Sequence, residues 1–127
     1  MKAKEQKKQV RIFADGAGEG PDGKGSGFAW LNENSGEKHI ERIPGLTNNM
    51  AEYRAVLSAL KSVRKGCGVE VITDSLLVVS QLRGEYRIRD PKLEKLATEV
   101  KTLVEQRQLM VTFRWVPRQE NRAGKLL

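Results

Sequence analysis

Three extended segments precede the first helical one, and after it helix and strand alternate; no other feature of the chain constrains its fold more. VRIFAD (10–15), FAWLN (28–32) and KHIERI (38–43) are predicted as strands. A helix is expected over 49–64, a short buried strand over 69–73 and a further helix over 75–82. Asp90-Pro91 supplies an N-cap and a first-turn proline for the next helix. LMVTFRWV (109–116) is the last strand, and NRAGKLL begins a helical segment. Hairpin connections make the first three strands antiparallel, and helical crossovers set the last two parallel to the first. The expected fold is therefore α/β: a five-stranded mixed sheet, three antiparallel strands then two parallel ones, flanked by helices.

In that topology strands one, three, four and five all run toward one edge of the sheet, and acids collect there. Asp15 ends the first strand, Asp74 follows the fourth, and Glu52 lies in the first turn of the helix after the third. Glu52 also heads an apolar stripe of Val56, Leu57, Leu60 and Val63, where a carboxylate is out of place. Each acid has an ordinary explanation. Asn49 and Glu52 fit a capping box, Asp15-Gly16 fits a turn, and Asp74 could cap the helix at Ser75. One shared cause accounts for all three more simply. Carboxylates brought together repel unless a cation lies between them. Hard oxygen ligands without cysteine or histidine select Mg²⁺ or Mn²⁺.

The charge balance points to what such a site acts on. Lys and Arg number 23 against 16 Asp and Glu, a net charge of +7 that favours a polyanion, nucleic acid before an anionic membrane. At 127 residues the chain suits one domain, expected over 10–127, with residues 1–9 as a disordered basic arm. The arm has no apolar segment behind it to make a secretory signal, and no apolar run approaches a membrane span. Cys67 is the sole cysteine, so no internal disulfide is available. A cytoplasmic monomer without membrane contact is the expectation. The glycines between Gly16 and Gly27 lack the strand-to-helix context of a dinucleotide fingerprint. His39 reads as a polar-face strand residue.

IFADGAGEG, TNNMAEYRAVLSAL, VITDSLLVVSQLRGEY and WVPRQEN stand in an order and spacing that resembles type 1 ribonuclease H, from about Val10 to Arg122. The likeness is to compact members without a basic protrusion, since Gly84 to Pro91 leads directly into the next helix. The resemblance implies a ribonuclease H-like fold. It implies that Asp15, Glu52 and Asp74 are catalytic carboxylates holding two divalent ions, with Asp15 bridging them. It further implies hydrolysis of the RNA strand of an RNA–DNA hybrid, leaving a 3′-hydroxyl and a 5′-phosphate. Thr47, Asn48 and Asn49 would face the minor groove and sense the 2′-hydroxyl, with Thr47 equally able to serve as a helix cap. Arg118 stands where many relatives carry a loop histidine and would contact substrate. Double-stranded RNA is a further candidate partner.

One family position departs from the pattern. Members end this region with Asn-x-x-Ala-Asp-x-Leu, whose Asp is a fourth carboxylate, whereas here the chain reads NRAGKLL. Aligning Ala123, Leu126 and Leu127 places the missing acid at Gly124; counting from Asn121 places it at Lys125. The chain also stops short of the family's usual final helix. Asn121 is expected to stand in through its amide oxygen, with Glu120 as the alternative, or else to cap the last helix. The expected enzyme is slower, metal-hungry and partial to Mn²⁺. Its rivals are a hybrid-binding module that does not cut, and a basic scaffold whose acids are only caps.

Overall fold

The computed structural model describes residues 9–21 and 23–127. The expected basic arm lies outside the described residues except for Gln9, which opens the first strand. In chain order the elements are β1 (Gln9–Ala17), β2 (Gly27–Asn32), β3 (Lys38–Arg42), α1 (Asn48–Lys61), β4 (Gly68–Thr73), α2 (Leu76–Leu82), α3 (Pro91–Gln106) and β5 (Met110–Trp115). Two 3₁₀ turns follow, η1 (Arg118–Glu120) and η2 (Arg122–Leu126).

The strands form one sheet in the order β3-β2-β1-β4-β5. β1 pairs antiparallel with β2 and parallel with β4, and β5 is parallel to β4, as the connections require. β1 outlasts its expected end by two residues. Its β2 ladder continues to Ala17↔Gly27, whereas its β4 ladder stops at Phe13↔Ile72. Asp15 therefore sits where the sheet has parted between β1 and β4, leaving room for side chains from other elements.

Alternation along β1 sends Ile12 and Ala14 to one face and Phe13 and Asp15 to the other. The first face joins the main core with Tyr53, Val56, Leu60, Val71, Val78 and Val100. On the second, Phe13, Leu31, Ile72, Val116 and Ala123 form a smaller cluster beneath η2. Each large apolar side chain buried this way contributes roughly 1.5–3 kcal/mol. Two polar ties, the first of them buried, fix α1 in place. Tyr53 Oη donates to Gln81 Oε1 of α2 at 2.7 Å, and Trp30 Nε1 donates to Ser58 Oγ at 2.9 Å.

At α1 the Thr47 cap is present and the Asn49 cap is not, and at α2 Asp74 is not the cap. α1 begins at Asn48 with Thr47 as its N-cap, the Thr47 side chain accepting from the Met50 N–H. Asn49 is inside the helix, so the Asn49–Glu52 capping box does not form. In the run Thr47-Asn48-Asn49 every residue is a good cap by type, and tertiary contacts decide which one serves. At α2 the cap is Ser75, which accepts from the Val78 N–H. Asp74 is thus free of capping duty, as is Glu52. The expected Asp90 cap of α3 is present, accepting from the Lys92 N–H at 2.8 Å.

Candidate active site

Glu52 reaches the parted edge because α1 packs unusually close to β1. Gly16 faces α1, and a Cβ there would overlap the Ala51 carbonyl and the Glu52 nitrogen. Without that Cβ, the Gly16 N–H donates to Glu52 Oε1 at 3.0 Å. The neighbouring side chain, Asp15, points to the opposite face and is fully buried. Asp74 follows β4 directly, its carbonyl oxygen accepting from Trp115 Nε1 at 3.1 Å. Asp15, Glu52 and Asp74 each offer a carboxylate oxygen within 4.8 Å of the others.

The three acids differ sharply in how they are compensated. Asp74 Oδ1 accepts from Asn121 Nδ2 at 2.6 Å, and its Oδ2 accepts from Arg118 Nη1 at 3.1 Å. Burial opposes its charge, but hydrogen bonding, with Asn121 and then Arg118 contributing most, holds its pKa below the ordinary aspartate value. Asp15 has no such support. Neither of its buried carboxylate oxygens accepts a hydrogen bond, and Arg118 Nη1 approaches Oδ1 only to 3.6 Å. Burial, with the Asp74 charge behind it, lifts Asp15 to about 7. Burial, with the charges of Asp15 and Asp74 adding to it, lifts Glu52 to about 9 despite the Gly16 N–H.

Unpartnered buried oxygens are costly, and an isolated buried charge more so. Three hard oxygen donors at this separation, one from each acid, with neither Asp15 oxygen accepting a hydrogen bond, fit a divalent cation that prefers carboxylate ligands. No cysteine or histidine belongs to the cluster.

Asn121 is buried, although Arg118 to Glu120 before it and Arg122 after it are exposed. Its Nδ2 also donates to the Ala14 carbonyl at 2.9 Å, while its Oδ1 accepts from the Ala123 N–H at 3.1 Å and caps η2. A carbonyl and a carboxylate can only accept, and an N–H can only donate, so the partners dictate this orientation. Asn121 presents nitrogen to Asp74, and its oxygen is turned toward η2. Of the two roles expected for it, the cap is the one the hydrogen bonds describe. Glu120 is exposed and lies outside the carboxylate cluster. A Cβ on Gly124 would stand 3.4 Å from Asp15 Oδ2, an ordinary contact, so a side chain at this position would abut the site.

Thr47, Asn48 and Asn49 are all exposed at the start of α1. Asn48 Oδ1 accepts from the Gly18 N–H at 2.6 Å, which ties the glycine-rich loop to the helix. Glu19 braces the far side of that loop by accepting from the Gly45 N–H at 3.0 Å. His39 stacks on Trp30 at a 5.8 Å centroid separation and pairs with Glu41, on the outer strand β3. Sequence reasoning missed Trp115 and the Tyr53–Gln81 pair, which position Asp74 and α1 respectively. Their signals were present, since an aromatic residue adjoins Glu52 and another ends the last strand. A recess of about 560 Å³ between α1 and α3 includes none of Asp15, Glu52 and Asp74.

A family model described as RNase H matches residues 7–123. Bifunctional protein Rv2228c of Mycobacterium tuberculosis is 34% identical over 120 residues, covering 89% of this chain and 32% of that protein. The chain thus spans about a third of the length of the first curated relatives it matches. RNase H1 from Halobacterium salinarum has a similar structure, with a TM-score of 0.79 at 27% identity, over 94% of this chain and 93% of that one. LC11-RNase H1, solved in complex with an RNA/DNA hybrid, has a TM-score of 0.78 at 28% identity, over 92% of each chain. With the expected sheet, the three convergent acids and a match across almost its whole length, the chain belongs to the RNase H family.

Proposed function

We propose that this chain is an endonuclease that hydrolyses the RNA strand of RNA–DNA hybrids with Mg²⁺ or Mn²⁺, leaving a 3′-hydroxyl and a 5′-phosphate. The observation that carries this reading is Asp15, fully buried with neither carboxylate oxygen accepting a hydrogen bond, beside two further acids. Asp15, Glu52 and Asp74 would hold the cation, which when bound supplies acidification of the attacking water and stabilisation of the departing 3′-oxygen.

The chain's own residues prepare that chemistry. The Gly16 N–H orients Glu52, and Asn121 and Arg118 keep Asp74 ionised and aimed at Asp15. The exposed start of α1 offers Thr47, Asn48 and Asn49 to a minor groove, where the 2′-hydroxyl distinguishes RNA from DNA. The net charge of +7 supports a phosphate-lined partner. The site has three acids, and the resemblance implies a fourth where this chain has Gly124 or Lys125, so its hold on metal is weaker and Mn²⁺, with its more tolerant coordination, is favoured.

The test is cleavage of a labelled hybrid in each metal, with duplex DNA and double-stranded RNA as competitors and the product ends identified. Metal-dependent cutting confined to the RNA strand of the hybrid supports the proposal. Tight hybrid binding with no cutting in either metal replaces it with a hybrid-binding module of the same fold.

A further inference from the structure

We infer that this site takes a single divalent cation, and that the Arg118 guanidinium supplies the second positive charge that the carboxylates and the reacting phosphate require. The inference rests on the metal-dependent reading of the site given above and specifies how that site is charged.

Arg118 already behaves as a resident counter-cation. Its Nη1 lies 3.1 Å from Asp74 Oδ2 and 3.6 Å from Asp15 Oδ1, bridging two of the three acids from the solvent side. With its side chain 68% exposed, it can swing toward an incoming phosphate at little cost. On this flank of Asp15 no described residue lining the adjoining recess offers a further anionic side chain. A recess of about 210 Å³ is lined by Arg118, Gln119, Asn121, Gly124 and Lys125, with no carboxylate among them. Gly124 brings the recess into contact with Asp15 Oδ2 yet provides no side chain. Asn121 turns hydrogens, not oxygen, toward Asp74. Besides Asp15 Oδ2, a second divalent ion here would meet only the neutral or cationic residues Arg118, Gln119, Asn121 and Lys125. An anionic oxygen would be welcome in the same place.

The test counts bound Mn²⁺ per chain, without nucleic acid, from the electron paramagnetic resonance signal of the free ion. Wild type should bind one ion. Arg118→Ala should bind it about tenfold more tightly, because the carboxylates lose a competing cation a few ångströms away. At saturating Mn²⁺ the same variant should cleave hybrid about tenfold or more slowly, because the phosphate loses a charge-assisted donor. Tighter metal combined with slower chemistry is a split that a merely structural arginine would not produce. Gly124→Asp should take up a second ion. Two ions in the wild type overturn the inference, as do unchanged affinity in Arg118→Ala or a single ion in Gly124→Asp. Absence of any Mn²⁺ binding by the wild type removes the metal site itself, and the proposed function with it.

Discussion

The Gly16 N–H and the Glu52 carboxylate meet at 3.0 Å across a contact between β1 and α1 that is too close to admit a side chain on Gly16. The same backbone position that lets the helix approach therefore also orients its acid. Gly16→Ala would drive a Cβ into the Ala51 carbonyl and the Glu52 nitrogen, which are backbone atoms and cannot rotate away. The expected cost is on the order of 2–4 kcal/mol, as for severe overpacking. Thermal unfolding should report the loss, and Mn²⁺ should protect this variant less than the wild type. Wild-type stability in Gly16→Ala would mean that α1 can retreat freely.

Glu52 carries a pH signature in the metal-free protein. Its folded pKa is raised from 4.5 to about 9, chiefly by burial. A raised folded pKa means that the folded state holds the proton more tightly than the unfolded state does. Its stabilising contribution is full below the unfolded value and is lost as pH rises toward 9. Asp15, raised from 3.8 to about 7, adds a loss of the same sign at lower pH. Glu52→Gln mimics the protonated form and lacks its titration. Relative to wild type it should gain on the order of a few kcal/mol between about pH 5 and 9 without metal. Unfolding curves at several pH values in the presence of a chelator give the answer. A difference between the two proteins that stays constant with pH would refute the raised pKa.

Sequence conveyed the element order because apolar periodicity is local, and it conveyed the convergence of Asp15, Glu52 and Asp74 because connection rules fix strand direction. What it hid depends on contacts between distant residues. Thr47, Asn48 and Asn49 are interchangeable as caps by type, and the Asn48 bond to Gly18 is invisible until the loop is placed. The orientation of the Asn121 amide depends on the Ala14 carbonyl, 107 positions away in the chain. The overrun of β1 past β4, which opens space around Asp15, depends on two ladders of unequal length.

Asp74→Asn should abolish cleavage and spare hybrid binding. Asp74 accepts from Asn121 on one oxygen and from Arg118 on the other. An amide can accept on only one side, so one of those donors loses its partner. Arg118, the exposed one, should be released. The substitution also removes a charge that the metal needs, whereas most of the grip on a duplex comes from phosphate contacts elsewhere. Cleavage and binding assays on the same preparation decide this, and turnover at the wild-type rate would defeat the metal-site reading.

Binding should weaken steeply with salt. A chain of net charge +7 displaces condensed counterions when it meets a duplex. Hybrid affinity for Asp74→Asn, which binds without cutting, should fall at least about tenfold between roughly 50 and 200 mM salt. A flat response over that range would place the affinity in contacts other than phosphate neutralisation.

Asn121 offers the sharpest separation of positioning from metal ligation. Its NH₂ group satisfies the Ala14 carbonyl and Asp74 together, and its oxygen caps η2. Asn121→Ala strands the buried Ala14 carbonyl and frees Asp74, at a cost of about 1–3 kcal/mol. It should also slow cleavage at limiting metal, because Asp74 is no longer held toward Asp15. Asn121→Asp keeps the cap oxygen but faces an anion toward the carbonyl and the Asp74 carboxylate, both acceptors. Without metal it should therefore be less stable than Asn121→Ala, the reverse of what side-chain volume alone would give. Saturating Mn²⁺ should raise the melting temperature of Asn121→Asp more than that of wild type, because a cation relieves the repulsion the substitution creates. Melting curves for the three proteins, with chelator and with Mn²⁺, provide the comparison. If metal-free Asn121→Asp melts with the wild type, the amide hydrogens contribute nothing and Asn121 is no positioning residue.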